Sequence, residues 1–370
     1  MAFESLYQGS KDIFLNGVRA QFDAVENQAL TSVRALQDWS LLGTKSDMKS
    51  LFTQVSGITS EGSRTVWRNV GTTGIKDLGT RRAGTPFPEV EFIRTYETAA
   101  FNPDVQLAGK ITVPDERQNA EANVYKDALN RAEKMLMEIN RRDVADIFEL
   151  FNLAFTIPTS YPTRFFSKGN RGLDGNYTAL NEYLISTQHA LANGGTSVSN
   201  AVTASSKSLA FSDANYYTAK EQGATFTDDV GKPTPRFGGH TTLIVPPANG
   251  LVRAAMEINK SEWVVKVNNN EVNVLNGLFN DIKSSPYLMS SYYVASTANT
   301  YAWFLVDDTV RDPETGLGFI QVEFHALRTD VVREPLIQSI SYLVNEGKSY
   351  GWTDWRNILG SKGDAASYTN

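Results

Sequence analysis

Histidine is the residue type most often used in metal and acid–base sites, and this sequence of 370 residues contains three. His189, His240 and His325 are far apart along the chain, and none has a second histidine at the spacing of a metal-binding motif. The sequence contains no cysteine, which excludes disulfide bonds, thiolate catalysis and cysteine-ligated zinc. The pattern therefore predicts no metal site and no histidine-dependent catalysis.

Acidic pairs are the other candidates for chemistry. Asp228–Asp229 and Asp307–Asp308 have the residue types of a cation ligand or an acid–base pair. The second pair begins a stretch, ending at Gly316, that is typical of a turn between strands. No phosphate-binding glycine-rich loop and no nucleophile-elbow motif occurs in the sequence. The sequence therefore predicts no catalytic, cofactor-binding or metal-binding residues, and it disfavours an enzyme.

The charge balance argues against tight nucleic-acid binding. The sequence has 35 Lys and Arg residues and 41 Asp and Glu residues, which gives a net charge of −6. Surfaces that bind DNA or RNA are normally basic, and the densest basic clusters here, Arg81–Arg82 and Arg141–Arg142, have acids nearby. No apolar run is long enough to span a bilayer, and the first residues do not form a secretory signal. Proximity to DNA without sequence-specific binding is compatible with this composition.

One stretch, 115–155, is predicted to form a single long amphipathic helix. Apolar residues recur mostly at steps of three, four or seven along it, and no glycine or proline interrupts it. Pro114 precedes the acidic pair Asp115–Glu116, as is typical of a helix start. Roughly 30–40 helical residues would form a rod about 45–60 Å long. Such a rod exceeds the usual helix of a compact domain and predicts an elongated subunit.

The segment before this helix is predicted to project from the body of the protein. Strand-like runs at Thr65–Val70, Pro88–Tyr96 and Gln106–Val113 are interrupted by a glycine- and proline-rich loop that starts at Gly71. Long loops of this kind are uncommon unless they are functional. Acids and bases are equal in number across residues 61–117, which suits pairing with a neighbouring subunit or a solvated surface. The candidate contact residues are Lys76, Arg81, Arg82, Glu89 and Glu91.

The rest of the chain predicts segregated helices and strands, which is an α+β pattern. Helical spacing occurs in the N-terminal segment 13–39, which would pack on its own core or reach a neighbour. Further predicted helices are Tyr177–Ala192, Asp213–Gln222 and Ala248–Asn259. Predicted strands are Thr241–Pro247, Glu262–Val267, Val272–Ile282, Ala302–Val306, Phe319–Phe324 and Gln338–Val344.

Several stretches, taken in order, resemble the major capsid proteins of tailed phages. Gly109-Lys-Ile-Thr-Val-Pro-Asp-Glu-Arg leads into the predicted long helix and Asp146-Ile-Phe-Glu-Leu-Phe-Asn-Leu-Ala-Phe closes it, much as in Mu-like major head subunits. Three later stretches of this chain also resemble the family. They are Leu243-Ile-Val-Pro-Pro-Ala followed by a helix, Ser284-Ser-Pro-Tyr-Leu, and Trp352-Thr-Asp-Trp-Arg followed by Gly360. These stretches cover most of residues 60–360, and their order carries the resemblance.

The resemblance implies an α+β fold of the tailed-phage major capsid (HK97) type with defined parts. Residues 1–60 would form an N-terminal arm, 61–114 an extended β-hairpin loop over the adjacent subunit, and 115–155 the spine helix of the peripheral domain. Residues 156–299 would form the apical domain, 300–337 the strands of the peripheral domain, and 338–370 a C-terminal segment returning to the apical domain. No large cleaved prodomain is expected, and no covalent cross-link through Lys76.

The resemblance also implies a structural protein without cofactors that self-assembles into hexamers and pentamers. These would form an icosahedral shell around the double-stranded DNA genome of a tailed phage, assembled in the host cytoplasm and present in the virion. The implied partners are further copies of this chain, with scaffolding, portal and decoration proteins, and no membrane. Two alternatives remain open: an encapsulin-like nanocompartment shell, which would hold a protein cargo, and a soluble enzyme or binding module, which would be a small species with a ligand-filled cleft.

Overall fold

A computed structural model of the protein shows an α+β fold built from several separate sheets. The residues that the structure describes are 52–56, 60–61, 64–75, 92–101, 105–112, 138, 142, 145–155, 165–166, 169–171, 177–179, 183–191, 197–239, 241–260, 263–265, 270–272, 279–289, 299–307, 318–334 and 339–368.

The elements are numbered along the chain. The strands are β1 (Thr53–Ser56), β2 (Ser60–Glu61), β3 (Arg64–Ile75), β4 (Phe92–Phe101), β5 (Val105–Thr112), β6 (Phe165–Phe166), β7 (Gly169–Arg171), β8 (Tyr177–Ala179), β9 (Thr203–Ala204), β10 (Lys207–Ser208), β11 (Thr241–Ile244), β12 (Trp263–Val265), β13 (Asn270–Val272), β14 (Phe279–Lys283), β15 (Trp303–Asp307), β16 (Phe319–Glu334), β17 (Ser339–Trp352) and β18 (Ile358–Ser361). The helices are α1 (Asp213–Ala224) and α2 (Leu251–Lys260), with short 3-10 turns at Pro286–Leu288 and Trp355–Asn357. Residues 138, 142 and 145–152 are also helical.

The core sheet contains four short strands in the order β14–β11–β15–β18. Strand β11 is parallel to β14 and antiparallel to β15, and β15 is antiparallel to β18. Every residue of β11, β15 and β18 is buried, which explains apolar runs such as Trp303–Val306 in place of an alternating pattern. Pro246 and Pro247 follow β11, and because proline has no N–H to donate, they limit its length.

Helices α1 and α2 contribute to the same apolar core. The Ser212 side chain caps α1 by accepting the main-chain N–H of Asn215. Tyr216 of α1 is buried, and its ring packs edge-on against Phe279 of β14 with the centroids 5.0 Å apart. Leu251 begins α2 on the buried side of the helix. Both helices therefore cover the core sheet instead of forming a separate bundle.

The outer sheet contains the longest strands, in the order β1–β16–β17–β5. Strands β16 and β17 are antiparallel, and their pairing shifts register between Glu323 and Arg328. Strand β1 pairs in parallel with residues Ile320–Glu323 on the outer edge of β16. On the other side, β5 and then β6 pair with β17. The part of β16 and β17 beyond the register shifts is therefore a long ribbon.

Strands β3 and β4 form a separate antiparallel hairpin. Val66 pairs with Phe101 at one end, and Ile75 pairs with Phe92 at the other. The strands have 12 and 10 residues, which at about 3.3 Å per residue corresponds to roughly 33–40 Å. The two-residue strand β2 pairs with β3, so the hairpin is the main part of a three-stranded sheet.

The helical segment 145–152 and the residues after it join the two large sheets. Phe151 is fully buried, and its ring centroid lies 5.5 Å from that of Phe304 in β15 and 5.4 Å from that of Phe319 in β16. Phe155 stacks on Phe304 with the centroids 5.4 Å apart. The segment agrees with the C-terminal part of the long helix predicted over 115–155. Apart from the helical residues 138 and 142, the remainder of that prediction lies outside the described residues.

Most elements predicted from the sequence are confirmed with shifted ends. Helices α1 and α2 correspond to two of the predicted helices, and β11, β12 and β15 correspond to predicted strands. The loop predicted from Gly71 begins later, because β3 continues to Ile75. The single strand predicted at Val272–Ile282 is divided between β13 and β14 in its described parts. The predicted helical segment 13–39 lies outside the described residues.

The helix predicted at Tyr177–Ala192 is wrong. Residues 177–179 form β8, which pairs with β7, and residues 183–191 are irregular. The apolar spacing there reflects burial of Leu184, Ile185 and Leu191 without helical backbone bonding. The Ile185 N–H, for example, donates to the main-chain oxygen of Ala154. Tertiary hydrogen bonds therefore replace the helical ones in this segment.

Candidate functional site

The described part of the chain contains no group of three or more His, Cys, Asp or Glu residues that could hold a metal ion. No helix among the described residues has the length and apolar character needed to cross a membrane. His325 lies in β16, His189 is buried in the irregular segment 183–191, and His240 lies outside the described residues. Two other features of the molecule bear on function: a buried polar cluster around Arg356, and the long strands outside the core sheet.

His189 is a core residue held by an aromatic ring and an amide. Its imidazole stacks on the indole of Trp355, with the centroids 4.3 Å apart and the planes 6° apart. Its Nε2 lies 2.8 Å from Oδ1 of Asn200. The Asn200 amide nitrogen donates to the main-chain oxygens of Leu184, Trp355 and Ile358. Because Oδ1 is therefore the acceptor, Nε2 of His189 is the donor, and the residue has a structural role.

Arg356 forms a buried ion cluster with two aspartates. Its Nη2 donates to Oδ1 of Asp229 at 2.9 Å, and its Nη1 donates to both carboxylate oxygens of Asp354 at 3.1 and 3.3 Å. Its Nε donates to the main-chain oxygen of Thr227 at 2.8 Å. Burial disfavours the charged guanidinium, but the Asp354 and Asp229 carboxylates outweigh that cost and raise the pKa of Arg356. The guanidinium also lies over the Trp355 ring, 4.6 Å from its centroid.

This cluster joins three segments that are distant in sequence. Asp229 and Thr227 lie in the loop between α1 and β11, Arg356 lies in the 3-10 turn before β18, and Asn200 connects that turn to residues 184–186. The side chains of Arg356, Asp229 and Asp354 are 5%, 1% and 11% exposed, which leaves little access for a substrate. The arrangement can therefore hold these three segments together.

The acidic pairs noted in the sequence have structural contacts. Oδ1 of Asp228 accepts two main-chain N–H groups from the turn that follows it, at 2.9 and 2.8 Å. Asp229 belongs to the ion cluster, and Oδ2 of Asp307 accepts the main-chain N–H of Phe237 at 2.7 Å. Asp308 lies outside the described residues. The described carboxylates of both pairs are therefore used to hold loops in place.

The residues predicted to contact a neighbouring subunit all lie outside the described residues. Strand β3 ends at Ile75 and β4 begins at Phe92, and these two residues pair with each other. The connecting chain, 76–91, therefore starts and finishes at the same end of the hairpin. The residues concerned are Lys76, Arg81, Arg82, Glu89 and Glu91, and their contact role stays a prediction.

Solved structures of a capsid, a phage and a virus-like particle match most of this chain. A structure of Mycobacterium phage Patience is matched over 94% of this chain and 89% of that chain, at 10% identity and a TM-score of 0.49. The capsid of the cyanophage P-SCSP1u is matched over 84% and 85%, at 14% identity and a TM-score of 0.42. The virus-like particle from Pyrococcus furiosus is matched over 94% and 99%, at 10% identity and a TM-score of 0.40.

The α+β architecture is similar to the HK97-type capsid fold. The narrower likeness to Mu-like head subunits gains no support from these structures. No family model and no curated protein matches the sequence.

The sequence did not reveal the Arg356 cluster. The stretch Trp352-Thr-Asp-Trp-Arg was noted only for its family resemblance, and Asp229 lies 127 residues before its partner Arg356. The sequence did contain one signal. Arg356 directly follows Trp355 and lies near Trp352, and tryptophans are usually largely buried. An arginine buried beside them needs an acidic partner. The identity of that partner depends on tertiary structure.

Proposed function

We propose that this chain is a structural, shell-forming subunit and, more narrowly, the major capsid protein of a tailed phage. The observation that carries the proposal is the β3–β4 hairpin. Its strands have 12 and 10 residues, and the one further strand paired with them among the described residues is the two-residue β2. Strands of this length with so little further pairing would gain cover from a neighbouring subunit.

The contrast between the packed body of the molecule and its long β3–β4 hairpin supports the same function. The core sheet, α1, α2 and the Arg356 cluster form a well-packed body. Identical subunits that meet through different surfaces form closed rings, and a rigid body with a reaching hairpin suits such contacts. Hexamers and pentamers formed in this way would build an icosahedral shell, with scaffolding, portal and decoration proteins as further partners and with DNA enclosed in the virion.

The first experiment is expression of the chain alone and with the candidate scaffold, followed by size-exclusion chromatography and negative-stain electron microscopy. Hollow shells, tubes, or free hexamers and pentamers are the expected products. A monomer or dimer that persists at high concentration with scaffold present would overturn the shell function and favour a soluble enzyme or binding module. Native particles then separate the two kinds of shell: DNA inside supports a phage capsid, whereas a protein cargo supports a nanocompartment.

The end of the hairpin is the proposed contact with the neighbour. The connection 76–91 carries both signs of charge. Arg81 and Arg82 come first in its sequence, and Glu89 and Glu91 lie near its end. The double variant Arg81→Glu/Arg82→Glu should greatly reduce shell formation and leave the circular dichroism of the subunit unchanged, because these residues act between copies. The control is Arg253→Glu on the exposed side of α2. Intact shells from the double variant would contradict the contact role without affecting the shell function.

A further inference from the structure

Strand β16 has a regular edge without a partner strand in the described part of the chain. Beyond the register shifts, Arg328 to Glu334 pair consecutively with β17, from Asn345 to Ser339. Strand β1 covers the outer edge of β16 only as far as Glu323. Strand β5 lies on the opposite side of the ribbon, against β17. We call residues 328–334 of β16 the distal edge. An open edge of this length is a template for pairing with another strand.

The sequence of the distal edge is suited to pairing with a second copy of itself. It reads Arg-Thr-Asp-Val-Val-Arg-Glu, with Val331 as its central residue. In a symmetric antiparallel pair, the two-fold axis runs perpendicular to the sheet, so each residue and its copy lie on the same face. Because side chains alternate between the faces, residues opposite each other must be an even number of positions apart. The central residue therefore lies opposite its own copy. Centred on Val331, the pair places Arg328 of each copy opposite Glu334 of the other. Opposite charges directly across two strands stabilise the pair.

The other symmetric registers are less favourable. A pair centred on Asp330 places two copies of that acid opposite each other, and a pair centred on Val332 places Asp330 opposite Glu334. A pair centred on Thr329 also joins opposite charges, Arg328 with Asp330. That register, however, extends into the irregular residues between Glu323 and Arg328, where the edge is not regular. The register centred on Val331 is therefore the one that uses the whole regular run.

We infer that the distal edge pairs with the distal edge of a second copy across a two-fold axis. Each copy contributes the three strands β16, β17 and β5, so the contact would join two three-stranded ribbons into one six-stranded sheet. The inference rests on the proposed function, because a closed icosahedral shell supplies two-fold axes between identical subunits. The strand that pairs with the distal edge is therefore the distal edge of another copy of this chain.

The first test exchanges the two charges. Arg328→Glu and Glu334→Arg each place like charges opposite each other, and each should weaken association about ten-fold, as two pairs per contact at roughly 0.5–1 kcal/mol imply. The double variant Arg328→Glu/Glu334→Arg should restore assembly, which is measured as the shell fraction in a sucrose gradient. Thermal unfolding of the free subunit checks that each variant is folded. Assembly of both single variants at the wild-type level, or no restoration by a folded double variant, would overturn the inference.

The second test uses the absence of cysteine from the sequence. In Val331→Cys the two introduced thiols lie directly opposite, at a Cβ separation of about 4.5–5.5 Å. A small shift of the strands brings this to the roughly 3.5–4.5 Å of a disulfide, so mild oxidation should give a linked dimer. In the control Val332→Cys the two thiols are diagonal, about 7–8 Å apart, and should cross-link far less. Equal dimer yields, or none from Val331→Cys, would overturn the strand pair. Failure of the wild-type chain to form shells would instead count against the proposed function, and the cysteine variants can still be compared on the free chain.

Discussion

The strands of the core sheet have four or five residues, whereas β3, β4, β16 and β17 have 10 to 16. The core strands are covered by helices and by the aromatic residues Phe151 and Phe155, which bury them in one apolar cluster. The long strands pair mainly with each other over much of their length. The core therefore supports itself, while under the proposed function the long strands gain their cover from other copies.

The largest effect is expected from breaking the core at Arg356. Arg356→Ala leaves Asp229 and Asp354 buried without their cationic partner. The free energy of unfolding should fall by about 3–5 kcal/mol, because an unpaired charge in the interior is costly. Chemical denaturation of the unassembled subunit measures this change.

The matched control is an arginine whose ion pair lies in solvent. Arg253 and Glu257 on α2 pair at 2.7 Å, but their side chains are 85% and 61% exposed. Arg253→Ala should leave the unfolding curve unchanged within error, because exposed pairs contribute little. A loss as large as that of Arg356→Ala would show that burial does not distinguish the two sites.

A smaller loss is expected where β18 meets the core. A Cβ atom at Gly360 would lie 2.8 Å from Cδ1 of Phe304 and 2.9 Å from Cδ1 of Ile185. Gly360→Ala should lower the free energy of unfolding by about 1–3 kcal/mol, because both side chains must move. Gly238 provides the control variant Gly238→Ala, since a methyl group added there would have no neighbouring atom within 4 Å. A destabilised Gly238→Ala together with an unchanged Gly360→Ala would contradict close packing around β18.

The smallest effect concerns the C-terminal segment and depends on pH. Partial burial raises the pKa of Tyr368 from 10.0 to about 12, although its hydroxyl accepts the main-chain N–H of Lys362. Because the pKa of the folded state is the higher one, this contribution to stability is full below pH 10.0 and is lost as the pH rises through about 12.

Wild-type protein should therefore lose thermal stability over this range more steeply than Tyr368→Phe, which has no phenol to ionise. Melting curves across the range, with absorbance of tyrosinate, provide the measurement. Tyr301→Phe is the control, since Tyr301 is 48% exposed. Parallel pH profiles for wild type and Tyr368→Phe would exclude the partly buried phenol of Tyr368 as the cause.

Elements were predictable from sequence where local pattern and tertiary environment agree. The buried run in β11 and the capped helix α1 are examples, since each satisfies its backbone groups through ordinary sheet or helix bonding. The pattern at Tyr177–Ala192 was misleading, because apolar spacing alone does not show that Asn200 and Ala154 bind that backbone. Strand β16 was underestimated because its length depends on pairing with β17 across a register shift.

The candidate site was less predictable than the fold. Asp229 and Arg356 meet through the tertiary structure, and no spacing in the sequence pairs them. The contact role of Arg81 and Arg82 depends on a second copy of the chain, so it stays a prediction that follows from charge and position. The pairing register of the distal edge can be inferred from its charges only after the structure shows which seven residues form the regular run.

The order of strands in the outer sheet has a consequence for synthesis. Thr53 pairs with Ile320, and Thr112 pairs with Ser339, so each partner lies more than 200 residues away along the chain. Contacts this distant form slowly, and β1 and β5 have no partner in this sheet until the last part of the chain has left the ribosome. Nascent chains would therefore lack a finished sheet, and translation itself would delay assembly until each subunit is complete.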